Sequence, residues 1–329
     1  MIQIDRFYTI GIDGGASNTR GCIVSQDGKT LVKMIVDEGS SLMLNPEESA
    51  NCILNLIQSL CNEIKLSIEN IDAIGLGLAG SSNKDGRDYL FGKLDKLKLS
   101  PRTIIMNDAE AAYEINCPGD FGILVTVGTG IICLSRNNGN IIREAGKGHD
   151  QGDLGSGYWM GKQALLNLTL NETSIIGDSD LEEIMEVFLT QVNEDNFENA
   201  LDKVYKNTNY VKIIAKLSQD IISLAKKGNE ISLSIVQEAT HGVAQYILSM
   251  LDRLEFNRTN LVLAGNGSII RNDFYRSSLN DELRFHCPDL KWTFSSLSPA
   301  YGAAIMAARL YDVDIKISDI LKGDVLVSS

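Results

Sequence analysis

Hydrophobic positions along the first 150 residues change period several times, and each change marks an element. Residues 8–13 form an apolar run ending at Gly14 and Gly15, a pattern that predicts a strand and a tight turn. Two more strands are predicted over 19–25 and 29–36, joined at the hairpin signal Asp27-Gly28. Residues 46–64 switch to helical spacing, with Cys52, Leu56, Ile57, Leu60 and Ile64 on one face. Buried strands are expected over 71–78 and 103–106, and a helix over 109–115 follows the second directly.

From Gly122 the pattern restarts. A strand over 122–127 ends in Gly128-Thr129-Gly130, a second spans 131–135, and Asn138-Gly139 turns the chain into a third at Ile141-Ile142. This repeats the order at the N-terminus, so the chain reads as two domains of like topology. Residues 158–254 are helical in pattern throughout and contain no proline. Within them Ile231, Ile235, Ala239, Val243, Ile247 and Leu251 form one apolar stripe. A strand over 260–264 ends in Gly265-Asn266-Gly267, and a helix rich in small residues is predicted over 301–310, just after Pro299.

Length and charge narrow the function. A chain of 329 residues suggests about two domains. Its 43 acidic against 30 basic side chains, a net of -13, argue against a surface for nucleic acid or anionic lipid. Six cysteines with no CxxC spacing read as reduced thiols. The N-terminus has no basic segment leading into an apolar run, and no apolar stretch is long enough for a membrane span. Together these predict a cytoplasmic protein.

The candidate chemistry lies in the glycine turns. Asp13-Gly14-Gly15, Gly128-Thr129-Gly130 and Gly265-Asn266-Gly267 each follow a strand, where glycine lets backbone amides approach an anion. The hydroxyls of Ser17, Thr19 and Thr129 add donors, and Asp13 is placed to hold magnesium. Neither GxGxxG nor GxxxxGK[ST] occurs at these turns.

In this order the three turns resemble the two phosphate motifs and the adenosine motif of the actin-like sugar kinase ATPases. MNDAEAA (106–112) and GKGHDQGDLGSGYWMG (146–161) resemble the N-acetylglucosamine kinase group of the BadF/BadG/BcrA/BcrD ATPase family. SPAYGAAIMAA (298–308) is similar to that family's last connecting helix. The resemblance implies an α/β fold of two actin-like (ribonuclease H-like) domains around a central cleft. Residues 1–117 would form the first and 118–298 the second, with a helical insertion, and 299–329 a C-terminal helix returning toward the first. It implies ATP and Mg2+ as cofactors and a small amino sugar as partner; a homodimer stays open.

Roles then follow residue by residue. Gly14, Gly15, Ser17, Asn18, Thr19, Gly128, Thr129, Gly130, Gly265, Asn266 and Gly267 would bind the nucleotide, with Asp13 on the metal. Asp108 would be the general base taking the proton of a sugar hydroxyl; its sequence position alone equally suits a helix cap. Asp153 would hold sugar hydroxyls or cap the helix starting near Gly155, where Leu154 replaces the family's usual Glu. Asn45, Ser81, Lys147 and Gly148 complete the sugar side. Asn45 also reads as a turn residue before a helix, and Lys147 stands where relatives carry Trp, facing either the sugar or solvent. His149 reads as a structural donor in its loop. The expected reaction is phosphorylation of the 6-hydroxyl of N-acetylglucosamine or of N-acetylmuramic acid or glucosamine. The alternatives are a non-catalytic sugar or nucleotide sensor, and a dehydratase-activating ATPase. The glycine loops hold no cysteine for the iron–sulfur cluster of the latter.

Overall fold

A computed structural model describes residues 7–15, 18–43, 45–117, 122–137, 140–148, 151, 153–171, 175–255, 258–259 and 261–325. The chain divides into two compact units, Met1–Asp120 with Ser295–Ser329, and Phe121–Phe294. The last segment therefore belongs with the first unit, and the divisions fall a few residues from those expected at 117 and 298.

The first unit is built on a five-stranded sheet ordered β3-β2-β1-β4-β5. Its strands are β1 (Tyr8–Gly14), β2 (Thr19–Ser25), β3 (Thr30–Val36), β4 (Ala73–Leu78) and β5 (Thr103–Asn107). Strands β1, β2 and β3 pair antiparallel, whereas β4 and β5 run parallel to β1. Alternation along β1 explains the two layers. Ile10 and Ile12 join the core beneath helix α1 (Pro46–Glu63), with Ile53, Leu56, Ile57 and Leu60. Gly11 faces the other way, under α10 (Pro299–Arg309). That helix lies almost on the strand backbone: a methyl group at Gly11 would overlap the Ala300 carbonyl, and one at Gly75 the Ala303 carbonyl. A methyl at Gly302 would likewise overlap the Ala111 carbonyl of α3 (Asp108–Asn116). Arg309 fixes the far end of this contact by a two-pronged ion pair with the buried Glu114, 2.5 Å at its shorter arm.

The second unit repeats the plan. Its sheet is ordered β10-β9-β6-β7-β8, from β6 (Ile123–Val127), β7 (Ile131–Asn137), β8 (Asn140–Glu144), β9 (Val262–Asn266) and β10 (Lys291–Thr293). Again three strands pair antiparallel and two run parallel to the central one. Sheet for sheet the two topologies coincide, which is the duplicated actin-like α/β architecture. The hairpin residues Asn138-Gly139 lie outside the described residues.

Between β8 and β9 come α4 (Gly157–Leu170), α5 (Ser179–Val192), α6 (Phe197–Tyr205), α7 (Tyr210–Lys227) and α8 (Glu230–Leu254). The apolar stripe of α8 is buried from Ile235 to Leu251, with Ile231 partly so. Three helices were not anticipated from the pattern: α2 (Lys84–Lys96), α9 (Asp273–Leu283) and α11 (Ile317–Val325). Helix α2 buries only Gly86, Leu90 and Leu94, too narrow a stripe to give a clear period. Among the described residues no helix is long and apolar enough to cross a membrane.

Candidate functional site

In the first unit the predicted residues gather at the carboxyl ends of the parallel strands, where open α/β sheets bind ligands. Asp13, next to last in β1, pairs in register with Gly77 of β4, which pairs with Met106 of β5. Asp108 follows β5 directly. The two aspartates thus stand two strands apart, about 10 Å between backbones, with a glycine in the strand between them. Asp13 is only 8% exposed. Burial, reinforced by the negative charge of Asp108, pushes its carboxyl up to about 7; Arg20 opposes this. Arg20, paired opposite Asp13 on β2, reaches its carboxylate at 3.5 Å. The sequence reading missed this arginine, because only the strand register brings it across from Asp13.

Asp108 is not the N-cap residue of its helix. Asn107 is the N-cap, and the reciprocal capping box closes through Glu110. Asp108 occupies the first helical position, half-buried, with Oδ1 accepting the Ala109 N–H at 3.0 Å. Asn107 Oδ1 accepts the same N–H at 3.0 Å, so both side chains serve the first turn of α3.

The loop before α1 stitches this edge together. Ser40 N–H donates to Gly15 O (2.9 Å), Ala79 N–H to Gly14 O (2.8 Å) and Leu42 N–H to Ala79 O (3.0 Å). Thr19 is buried within that stitching, its hydroxyl donating to Glu38 O at 2.7 Å and lying 2.9 Å from Ser40 Oγ. Asn18 accepts the Gly15 N–H through its carbonyl at 3.2 Å. Ser81 is buried beyond β4, and Asn45 is the N-cap of α1, accepting from Glu48 N–H at 3.3 Å. Ser17 lies outside the described residues.

In the second unit, Gly128-Thr129-Gly130 and Gly265-Asn266-Gly267 leave adjacent parallel strands and touch. A side chain at Gly267, whose φ is +95°, would overlap the Val127 carbonyl. Asn266 Nδ2 reaches Thr126 Oγ1 at 3.4 Å. The carbonyls of Gly128 and Thr129 accept the N–H groups of Gly157 (2.8 Å) and Tyr158 (3.0 Å), the first two residues of α4. All described peptides are trans, so the N–H groups of Thr129 and Gly130 point away from that helix. Two backbone donors side by side at a strand end are able to receive an anion.

Gly128 stands in open space among the described residues. Its φ is not in the left-handed region, and an added methyl would meet nothing within 4 Å among the described residues. Gly15 is similar, with only Asn18 O at 3.7 Å. At both places the backbone is open to close approach from outside.

Asp153 joins this turn to the next loop. It is buried, with Oδ1 accepting the Lys147 N–H at 2.9 Å and Oδ2 3.7 Å from where a Gly130 side chain would start. Ser156 caps α4, accepting from Trp159 N–H at 3.1 Å. Of the two readings open for Asp153, the helix cap falls to Ser156. Leu154 fills the space above Gly242 of α8, while Tyr275 donates its hydroxyl to Gly155 O at 3.0 Å. Lys147 is exposed, between Gly146 and Gly148 with φ of +67° and +102°. His149 lies outside the described residues.

A model of the BadF/BadG/BcrA/BcrD ATPase family matches residues 10–307. An N-acetylmuramic acid/N-acetylglucosamine kinase of Clostridium acetobutylicum is 29% identical over 309 residues, covering 91% of this chain and 98% of its own. Glucosamine kinase GspK of Vibrio cholerae is 22% identical over 248 residues, 74% of this chain and 80% of its own. Among solved structures, a provisionally named N-acetylglucosamine kinase of Chromobacterium violaceum superimposes with a TM-score of 0.72 at 21% identity. That match covers 92% of this chain and 99% of the other, and speaks for the fold.

Proposed function

The chain belongs to the BadF/BadG/BcrA/BcrD ATPase family, and on that premise we propose that it is an ATP-dependent amino-sugar kinase. Its reaction is transfer of the ATP γ-phosphoryl group to the 6-hydroxyl of N-acetylglucosamine or a close relative, N-acetylmuramic acid or glucosamine. The relatives named as kinases of these sugars support the substrate class. The observation that carries the reading is the place of Asp108 at the carboxyl end of β5, two strands from the buried Asp13.

Asp108 receives the proton of the sugar hydroxyl as its oxygen bonds to the γ-phosphorus. The bond from that phosphorus to the bridging oxygen breaks, and ADP departs. The N–H groups of Thr129 and Gly130 hold phosphate oxygens, and the glycine at 128 admits them closely. Asp153, whose carboxylate holds the Lys147 N–H, is assigned to the sugar, as are Asn45, Ser81 and Gly148. The turn after β9 holds the adenosine.

Magnesium fits the donors present. Mg2+ uses one or two carboxylates and keeps substrate phosphates and water as its other ligands. Among the described residues no three His, Cys, Asp or Glu form a cage. Asp13, buried with Asp108 nearby, carries a cost of ionisation that a divalent cation would relieve. When bound, the ion neutralises phosphate charge. Six buried cysteines that form no disulfide suit work in the cytoplasm.

An ADP-release assay over a panel of amino sugars, with and without Mg2+, tests the reading. The expected result is Mg2+-dependent turnover with an N-acetylated hexosamine and a 6-phosphate identified by phosphorus NMR. Absence of phosphorylated sugar from the whole panel would overturn it.

A further inference from the structure

Helices α8 and α9 carry none of the residues assigned to sugar or nucleotide, yet both press on the chain that follows Asp153. Along α8, Ala239, Gly242, Val243 and Tyr246 recur at helical spacing and share one face. Leu154 lies over Gly242, where a methyl group would overlap its side chain. Gly155, with φ of +90°, sits so close that a methyl there would overlap the Ala239 carbonyl and the Val243 side chain. Apolar packing of this kind holds the segment on the helix without fixing its place along it. Hydrogen bonds are directional and do fix it.

Two hydroxyls supply such bonds. Tyr275, in the first turn of α9 and fully buried, donates to Gly155 O at 3.0 Å. Its own place is set by Asn272, the N-cap of α9, whose side chain accepts the Tyr275 N–H at 3.2 Å. Half-buried Tyr246 receives the Leu154 N–H on its hydroxyl oxygen. Both bonds fall on the backbone of the two residues directly after Asp153. From that anchored point the Asp153 carboxylate reaches back to the Lys147 N–H at 2.9 Å.

We propose that Tyr275, with Tyr246, is a positioning residue for Asp153: the two hydroxyls fix the backbone at 154–155, and through it the place of the carboxylate and the affinity for the sugar. This rests on the assignment of Asp153 to the sugar made above. The phosphate turn is attached separately, by the N–H groups of Gly157 and Tyr158 on the carbonyls of Gly128 and Thr129, so nucleotide binding does not depend on these hydroxyls.

Steady-state kinetics of the whole chain, varying sugar and ATP in turn, tests it. Tyr275→Phe keeps the ring and removes the hydroxyl, leaving a buried carbonyl without this donor. The sugar KM should rise about tenfold, with kcat and the ATP KM within about twofold of the wild type. Tyr246→Phe, at a half-buried position, should move the sugar KM in the same direction, and it carries the test if Tyr275→Phe fails to fold. A loss of packing alone would lower the melting temperature without splitting the two KM values. Asp153→Ala should raise the sugar KM by itself, and adding Tyr275→Phe or Tyr246→Phe to it should raise it little further, since the hydroxyls act through Asp153. An unchanged sugar KM in every phenylalanine variant that folds, or a full additional effect on top of Asp153→Ala, would overturn the positioning role and leave the kinase reading intact. A wild-type sugar KM in Asp153→Ala would remove Asp153 from the sugar, and the positioning role with it. A wild type that phosphorylates no amino sugar would overturn the kinase reading itself.

Discussion

Asp13 and Asp108 face one electrostatic field across β4, and the charge of Asp108 adds to burial in holding the Asp13 carboxyl at about 7. A carboxylic acid raised from 3.8 binds protons more tightly in the folded than in the unfolded chain. The stability it contributes is complete below about pH 4 and is lost as pH rises through 7. Without metal, Asp13→Asn should match the wild type in melting temperature near pH 4 and exceed it at pH 8. The ceiling is about 4 kcal/mol, from some three pKa units at about 1.4 kcal/mol each. Thermal melts in a chelator at both pH values measure it. A wild type as stable as Asp13→Asn at pH 8 would remove the ionisation cost.

Asp108→Asn should lower kcat by roughly 10²–10⁴, the usual contribution of a general base. Its sugar KM should change little, since the amide still meets the hydroxyl. Asn107→Ala should act in the opposite sense, costing about 1 kcal/mol of stability through loss of the cap. Steady-state kinetics and melts of the two variants separate these roles. An Asp108→Asn enzyme with normal kcat would end its assignment as base.

Gly128→Ala tests whether an empty space is kept for a ligand. Its methyl meets no described atom within 4 Å, so the melting temperature should stay within about 1–2 °C of the wild type, in line with a surface substitution. Activity should fall at least tenfold through a higher KM for ATP. Gly302→Val is the opposite case: the side chain would enter the Ala111 carbonyl of α3, and overpacking should cost about 3 kcal/mol or more. A Gly128→Ala protein with unaltered KM would mean that phosphate does not approach this turn.

Lys147 holds Asp153 through its backbone, so replacing its side chain spares that bond. Lys147→Met should keep kcat/KM for N-acetylglucosamine and lose roughly tenfold for N-acetylmuramic acid, whose carboxylate a lysine would meet. Lys147→Pro, lacking the N–H, should impair both sugars. Parallel kinetics on the two substrates decide, and an equal loss in Lys147→Met would turn its side chain to solvent.

Much of the fold was legible because β1 and β6 are apolar runs that end in glycine, and hairpin signals follow both. The weaker elements lacked such marks. Helix α2 buries a stripe of three residues, and β10 is three residues long with two of them exposed. At the site, Asn107 and Asp108 are both good capping residues, and sequence alone left the choice open. Glu110, three residues after Asn107, was the available sign that the asparagine takes the cap. Arg20 and Tyr275 escaped notice for another reason. Each acquires its neighbour through the fold, Arg20 by strand pairing with Asp13 and Tyr275 by the reach of its helix to Gly155, and neither contact is written in local spacing.

The contact of α10 with Gly11 and Gly75 also imposes an order on biosynthesis. Strands β1 to β5 leave the ribosome early, yet the helix that covers them is translated only after the whole second unit. During that interval the strand backbone at Gly11 and Gly75 has no partner on that side. A nascent chain halted before Pro299 therefore carries an unfinished sheet, open to chaperones, proteases and aggregation. Because Asp13 lies on that sheet and Asp108 at the end of its strand β5, the first unit is completed only once synthesis is nearly over.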